Sequence, residues 1–135
     1  MATTFDTEST TVSNTLQIKA QKEELLGAIT TVFGAISSKA TLPILANVLI
    51  QSDGPDQVVL SGTDLELGIK TRFAATVQLQ GAVTVPAKKL YEIVRELGPG
   101  EVEITVGKNN AVNIKTNKSF FKIMGLEPDD FPKLP

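Results

Sequence analysis

The sequence predicts an α+β fold in which two strand–helix–strand–strand–strand units form one domain, with the helices on one side and antiparallel sheets on the other. Two observations predict this fold. The same order of elements occurs twice, over residues 15–77 and over residues 82–124. The length of 135 residues also suits a single domain that is large enough to bury a core.

The first unit opens with alternating apolar residues that predict a strand over residues 15–20. Apolar side chains at three- and four-residue spacing then predict a helix over residues 22–36, and Pro43 prevents a helix from continuing through the loop that follows. The expected turns lie at residues 52–56 and 62–64. Around these turns, strand-like runs predict three more strands, at residues 47–51, 57–61 and 65–77.

The second unit repeats this order. A strand over residues 82–85 leads to Pro86, which we expect at the first helical position. Gly98 marks the end of this helix. The helix has an apolar stripe at Leu90, Ile93, Val94 and Leu97. Three strands are predicted to follow, at residues 101–106, 111–116 and 119–124. We expect the two helices to lie side by side with their apolar stripes on the sheets.

Composition excludes several kinds of chemistry. The chain carries 13 basic and 15 acidic residues, a net charge of −2, and contains neither cysteine nor histidine. Disulfides, thiol nucleophiles, cysteine-bound metals and Ser–His triads are therefore excluded. Neither a P-loop nor a G-x-G-x-x-G motif occurs, and we expect no cofactor. Because no run of 18 apolar residues and no secretory signal is present, we expect a cytoplasmic protein.

The chain divides into three regions. Residues 1–14 are rich in Thr and Ser and lack a hydrophobic period, so we expect a disordered leader. Residues 15–126 contain both repeated units and form the domain. Residues 127–135 are proline-rich and predict an extended connector.

Basic residues slightly outnumber acidic residues on the predicted helices and their flanks. The basic residues are Lys19, Lys22, Lys39, Lys88, Lys89 and Arg95. The acidic residues are Glu23, Glu24, Glu92 and Glu96. This excess of two positive charges fits weak, sequence-independent contact with a phosphate backbone. Alternatively, these are ordinary solvated helix faces, stabilised by pairs such as Lys88 with Glu92.

Two neighbouring phenylalanines lie on the last predicted strand. Phe120 and Phe121 must point to opposite faces, so we expect one of them in the core. The other would form an exposed apolar patch together with Met124, and such patches often mark protein contacts. An alternative function is therefore a protein-interaction module that self-associates through this strand. Alternatively, a loop covers this patch.

Carboxylates near the two turns of the first unit offer a third hypothesis. Asp64 and Glu66, with Asp53 or Asp56, could bind Mg²⁺ in a metalloenzyme, since Mg²⁺ prefers carboxylate and water oxygens. Alternatively, Asp64 is a turn residue that bonds nearby backbone amides, and Glu66 faces outward from a strand.

Four blocks of sequence are more specific than the pattern of predicted strands and helices. They are KATLPILANVLI from Lys39, LSGTDLELGI from Leu60, VPAKKLYEIV from Val85 and DDFPKLP from Asp129. Together they closely resemble the N-terminal domain of the bacterial sliding clamp family, the beta subunit of DNA polymerase III. The resemblance covers nearly all of residues 15–135.

The resemblance implies a DNA polymerase processivity factor that is not an enzyme. Family members have three such domains per chain, and two chains close head to tail into a ring whose helices line the hole. The ring encircles duplex DNA and tethers the polymerase, so only weak contact with DNA is expected. It also implies that polymerase and clamp loader bind to domains beyond this one, and that the ring joint needs the C-terminal domain of a second chain.

By position, the resemblance also implies site residues. DNA contacts are implied at Lys39, in the loop before Thr41-Leu42-Pro43, and at Lys88, at the start of the second helix. Lys22 and Arg95 are further candidates because they lie on the helices that would line the hole. The dimer joint is implied at five residues: Lys89, Lys118, Phe120, Phe121 and Ile123. Among these five, the two lysines match ion-pairing positions, whereas Phe121 and Ile123 match the apolar centre. Phe120 departs from the family pattern, in which an arginine can occupy this position, and the departure implies a more apolar joint. No catalytic or metal site is implied.

Overall fold

The computed structural model describes residues 16–33, 47–63, 68–128 and 131. Within these ranges, the first unit consists of β1 (Leu16–Gln21), α1 (Lys22–Phe33), β2 (Asn47–Ser52), β3 (Gln57–Thr63), β4 (Gly68–Ala74) and β5 (Thr76–Leu79). The second unit consists of β6 (Ala82–Pro86), α2 (Ala87–Glu96), β7 (Glu101–Val106), β8 (Ala111–Lys115) and β9 (Phe120–Met124). This order confirms the predicted α+β fold of two repeated units.

Two antiparallel sheets interlock the units. One sheet has the strand order β5-β1-β7-β8-β9, and the other has the order β4-β3-β2-β6. The first strand of each unit therefore lies in the sheet of the other unit: β1 pairs with β7, and β6 pairs with β2. Because of this exchange, neither unit can form its sheet without the other, and the two units make one domain.

The end of the first unit differs from the prediction. The strand expected over residues 65–77 is two strands in different sheets, β4 and β5, with the break at Ala75. The Ala75 N–H donates to the carbonyl of Asp56 at 3.1 Å, and the Val77 N–H donates to the carbonyl of Pro55 at 2.9 Å. These bonds fix the chain as it crosses between the sheets, and a continuous alternation of residues does not reveal such a crossing.

Two local boundaries also differ. The prediction of a turn at residues 62–64 is wrong for the first two of these residues. Strand β3 continues as far as Thr63, and within it Gly62 pairs with Ile69 of β4. Pro86 is not the first helical residue. It still pairs with Asn47 in β6 and keeps an extended ψ of 122°, so α2 begins one residue later.

The helices lie side by side and cover the core. Buried apolar residues on α1 are Leu25, Ala28, Ile29 and Val32, and those on α2 are Ala87, Leu90 and Val94. They join the buried faces of both sheets in one hydrophobic cluster. Phe33 of α1 stacks on Tyr91 of α2 with ring centroids 5.2 Å apart, so the contact between the helices is itself partly aromatic. Among the described residues, no helix is long and apolar enough to cross a membrane.

Candidate functional site

Helix α2 presents two exposed cations on one side. Lys88 and Arg95 are both exposed and lie seven residues apart, which places them on the same side of the helix and about 10 Å apart along its axis. Lys22 is half-buried at the start of α1. Lys39, the remaining DNA-contact prediction, lies outside the described residues. The structure therefore places three of the four predicted cations on the two adjacent helices.

The helices themselves carry no excess of positive charge, because the predicted excess of two comes from the flanking Lys19 and Lys39, and Lys39 lies outside the described residues. On α1 and α2 together, the basic residues are Lys22, Lys88, Lys89 and Arg95, and the acidic residues are Glu23, Glu24, Glu92 and Glu96. Four of each sign give a net charge of zero. Lys19 does not contribute, because it alternates with the buried Ile18 and Ala20 of β1 and so lies on the outer face of the sheet, opposite Glu103. The described helix surface is electrically balanced.

Ion pairing on this surface also differs from the expectation. Within the described ranges, the ion pairs shorter than 4 Å join Arg72 Nε to Asp53 Oδ2 at 3.1 Å and Arg95 Nε to Glu96 Oε2 at 3.8 Å. The predicted Lys88–Glu92 pair is therefore not formed. Lys88 is exposed and has no acidic partner within 4 Å in the part of the chain that the structure describes, so its charge is available to a ligand.

An aromatic contact distinguishes Arg95 from the lysines. Its guanidinium carbon lies 5.4 Å from the centroid of the Tyr91 ring, within the range of a cation–π interaction. The sequence pattern did not predict Tyr91 as a site residue. Its four-residue spacing from Arg95 nevertheless places the two side chains next to each other on a helix. Its contact with Phe33 joins residues 58 positions apart, so local spacing could not have revealed it.

A groove of about 670 Å³ separates α2 from the edge strand β9. Its lining includes Lys89, Ile93, Glu96, Phe121, Ile123 and Met124. Lys89, Ile93 and Glu96 share one side of α2, away from Lys88 and Arg95. The structure thus brings together three of the five residues predicted for the dimer joint, namely Lys89, Phe121 and Ile123.

The burial of the β9 side chains corrects one prediction. Neither Phe120 nor Phe121 is in the core: their exposed fractions are 62% and 36%. Phe121 shares a face with the buried Ile123, but β9 is the last strand of its sheet and the groove leaves the Phe121 ring open to solvent. Phe120 lies on the opposite face with Met124, which is 59% exposed. Both faces of this edge therefore carry accessible apolar side chains.

Lys118 belongs to the turn that leads into β9. It is exposed, and its backbone N–H donates to the Thr116 hydroxyl at 3.3 Å. Lys118 does not line the groove, so the structure places it at the end of the edge strand and Lys89 along its side.

The carboxylates considered for Mg²⁺ are only partly described. Asp53 accepts a hydrogen bond from Arg72 Nε at 3.1 Å, and Asp56 is exposed beside it in the β2–β3 turn. Asp64 and Glu66 lie outside the described residues. Among the side chains that the structure describes, no group of three or more potential metal ligands occurs.

The sequence and the structure of this chain are both similar to those of known proteins. The model of one protein family, described as the DNA polymerase III beta subunit, N-terminal domain, matches residues 16–135. The chain is 35% identical over 127 residues to the beta sliding clamp of Synechocystis sp. and 36% identical over 122 residues to that of Synechococcus elongatus. Each match covers 89% of this chain and 32% of the relative, so the chain spans about a third of these proteins.

Solved structures agree with these matches. The DNA polymerase sliding clamp from Bacillus subtilis superposes with a TM-score of 0.84 at 28% identity, over 90% of this chain and 34% of that one. The beta sliding clamp from C. crescentus also gives a TM-score of 0.84, at 31% identity, over 90% of this chain and 32% of that one.

Proposed function

Because the chain belongs to the family of the DNA polymerase III beta subunit, and matches its N-terminal domain, we propose that it is the first domain of a ring-shaped processivity factor. In this proposal the protein is not an enzyme. It encircles duplex DNA without reading the sequence and tethers the replicative polymerase in the cytoplasm. Polymerase and clamp loader bind to other domains of the same ring.

The observation that carries the proposal is the paired, electrically balanced helix surface. Helices α1 and α2 lie side by side. Their four basic residues, which include the exposed Lys88 and Arg95, are matched by four acidic residues. A strongly basic surface would hold the phosphate backbone tightly, because each neutralised phosphate releases counterions. A balanced surface with a few free cations instead suits a protein that must stay near DNA and still slide.

The groove between α2 and β9 supports the second part of the proposal, which is the joint to another chain. We assign Lys89, Phe121 and Ile123 to this joint, with Phe120 and Lys118 at its margin. An edge strand offers unpaired backbone groups to a partner strand, and the exposed Phe121 ring offers an apolar contact beside them. The partner we propose is the C-terminal domain of a second clamp chain.

A DNA titration tests the proposed function. We expect the 135-residue chain to bind duplexes of unrelated sequence with equal and weak affinity that falls as salt rises. The measurement is fluorescence anisotropy with two labelled duplexes at several salt concentrations. Binding tighter than about 10⁻⁸ M with a preference for one sequence would contradict the proposal, because this range belongs to specific DNA readers.

A second candidate function rests on β9 alone. The exposed Phe120, Phe121 and Met124 favour a module that self-associates through its last strand. Sedimentation at increasing protein concentration separates the two proposals. A rising sedimentation coefficient without DNA binding would favour self-association, whereas a monomer at high concentration would exclude it and leave docking to a different domain intact.

A further inference from the structure

We propose that Tyr91 is a positioning residue that holds the guanidinium of Arg95 for contact with a DNA phosphate, and that Arg95 is the principal cation of the described helix surface. This inference rests on the proposed function and deepens it. The sequence places Arg95 among the DNA-contact candidates only because it lies on a helix, whereas the contacts around its side chain distinguish it from the other described candidates.

The Tyr91 ring contacts both Arg95 and Phe33. The Arg95 guanidinium carbon lies 5.4 Å from the centroid of the Tyr91 ring. The same ring stacks on Phe33, with a centroid separation of 5.2 Å and an angle of 24° between the planes. Since Phe33 belongs to α1 and Tyr91 to α2, both helices fix the ring on which the guanidinium rests.

The guanidinium group of Arg95 is chemically suited to a phosphate. The chain has two arginines, and Arg72 is already engaged by Asp53 at 3.1 Å. Among the described residues, the ion-pair partner of Arg95 is Glu96, at the longer distance of 3.8 Å, and both side chains of that pair are more than half exposed. A planar guanidinium can present two N–H groups to one phosphate, which a lysine ammonium does not match.

The contact with Tyr91 also lowers the conformational entropy that Arg95 would lose on binding DNA. Long basic side chains lose rotamer freedom when they bind, and this loss weakens affinity. Within the described part of the chain, Lys22 and Lys88 have no ion-pair partner within 4 Å. Arg95 is already restricted by the Tyr91 ring before DNA arrives. A phosphate contact through Arg95 therefore loses less freedom than one through either lysine.

The test is a double-mutant cycle on the 135-residue chain, read by NMR titration with a duplex of about 20 base pairs at low salt. We expect Tyr91→Leu to weaken binding about threefold, on the usual strength of an exposed cation–π contact, and Tyr91→Phe to bind as the unmodified chain does. In an Arg95→Ala background, Tyr91→Leu should cause no further loss. A merely structural role of Tyr91 would instead weaken binding equally in both backgrounds, and that result would overturn the inference.

Arg95→Lys keeps the test decisive if Tyr91→Leu unfolds the chain. This variant preserves the charge and loses the planar group, so we expect about a threefold loss of affinity with an unchanged salt dependence. Equal affinity of Arg95→Lys and the unmodified chain would overturn the inference while leaving the proposed function intact. If the duplex shifts no resonance of α1 or α2 in the unmodified chain, the proposed DNA contact falls together with this inference.

Discussion

A Cβ atom placed on Gly125 would lie 2.6 Å from the backbone oxygen of Thr84, closer than side chains approach a backbone in folded proteins. Gly125 follows β9 of the five-stranded sheet, whereas Thr84 lies in β6 of the four-stranded sheet. Next to this contact, the Leu126 N–H donates to the Thr84 carbonyl at 2.9 Å, and the Thr84 N–H donates to the Leu126 carbonyl at 3.2 Å. Glycine is required here because two backbones from different sheets meet.

We expect Gly125→Ala to lower the free energy of unfolding by about 1–3 kcal/mol, because the added methyl group forces the two backbones apart. The measurement is urea unfolding followed by circular dichroism. Gly27→Ala is the matched control: Gly27 is exposed on α1 and a Cβ there meets nothing within 4 Å, so this substitution should raise stability by up to about 1 kcal/mol. Equal effects of the two substitutions would contradict the close approach.

A buried hydrogen bond at the same place gives a second prediction. The Asn47 side-chain amide donates to the Thr84 hydroxyl at 3.3 Å, and both residues are buried. Thr84→Val keeps the shape but leaves the amide without this acceptor, so we expect a loss of about 1–3 kcal/mol in the free energy of unfolding. Thr105→Val on the partly exposed face of β7 serves as the control and should be nearly neutral. Similar losses in both variants would assign the effect to strand propensity instead of the hydrogen bond.

Most of the fold could be predicted because local patterns and tertiary structure agree. Leu16, Ile18 and Ala20 alternate in the sequence and are all buried in β1. The prediction failed where a pattern continues through a change of partner. The alternation that predicts one strand over residues 65–77 spans β4 and β5, although these strands belong to different sheets. Which sheet a strand joins is decided by distant residues, and local periodicity does not contain that information.

In the candidate site too, local spacing predicts some features, whereas others depend on the tertiary structure. Spacing alone places Lys88 and Arg95 on one side of α2, as the structure has them. Spacing also places Phe120 and Phe121 on opposite faces of their strand, but it does not reveal that β9 is an edge and that both rings stay accessible. The burial of a strand residue depends on what covers the strand, so this part of the site required the tertiary structure.

The salt dependence of DNA binding tests the role of Lys88. Because one lost phosphate contact removes about 0.9 from the slope of log K against log salt, we expect Lys88→Ala to lower the slope by about that amount. Lys115→Ala is the control, since Lys115 is exposed on the outer face of β8, opposite Phe120. The same loss of slope in both variants would mean that DNA contacts the sheets as readily as the helices. Because the family resemblance also implies a DNA contact at Lys39, we expect Lys39→Ala to lower this slope by the same amount.

Calorimetry with Mg²⁺ tests the carboxylate hypothesis. We expect no saturable heat, because the described side chains form no group of three potential metal ligands, and Arg72 competes with a cation for Asp53 at 3.1 Å. Arg72→Ala is the control variant, because it removes the ion-pair partner of Asp53 and leaves this carboxylate available to Mg²⁺. Saturable heat from the unmodified chain that disappears in Asp64→Asn would establish a metal site and contradict this prediction.

The apolar edge at β9 gives the last prediction, which concerns the partner of the groove. Phe121 lies in the groove and shares its face with Ile123, so truncating it removes the apolar contact that we propose for the joint. We expect Phe121→Ala to weaken binding to an isolated C-terminal clamp domain about tenfold, the effect of losing one interface anchor. Surface plasmon resonance at two salt concentrations measures it.

Two further variants make this prediction decisive. Val77→Ala changes a partly buried apolar residue on β5, the opposite edge of the same sheet, and should leave binding unchanged. Phe120→Arg installs the residue that the family can carry at this position, and we expect it to make the affinity more sensitive to salt, because an exposed charge is screened by salt and a phenyl ring is not. Equal losses in Phe121→Ala and Val77→Ala would show that the partner does not bind at β9, and the proposed joint would be wrong.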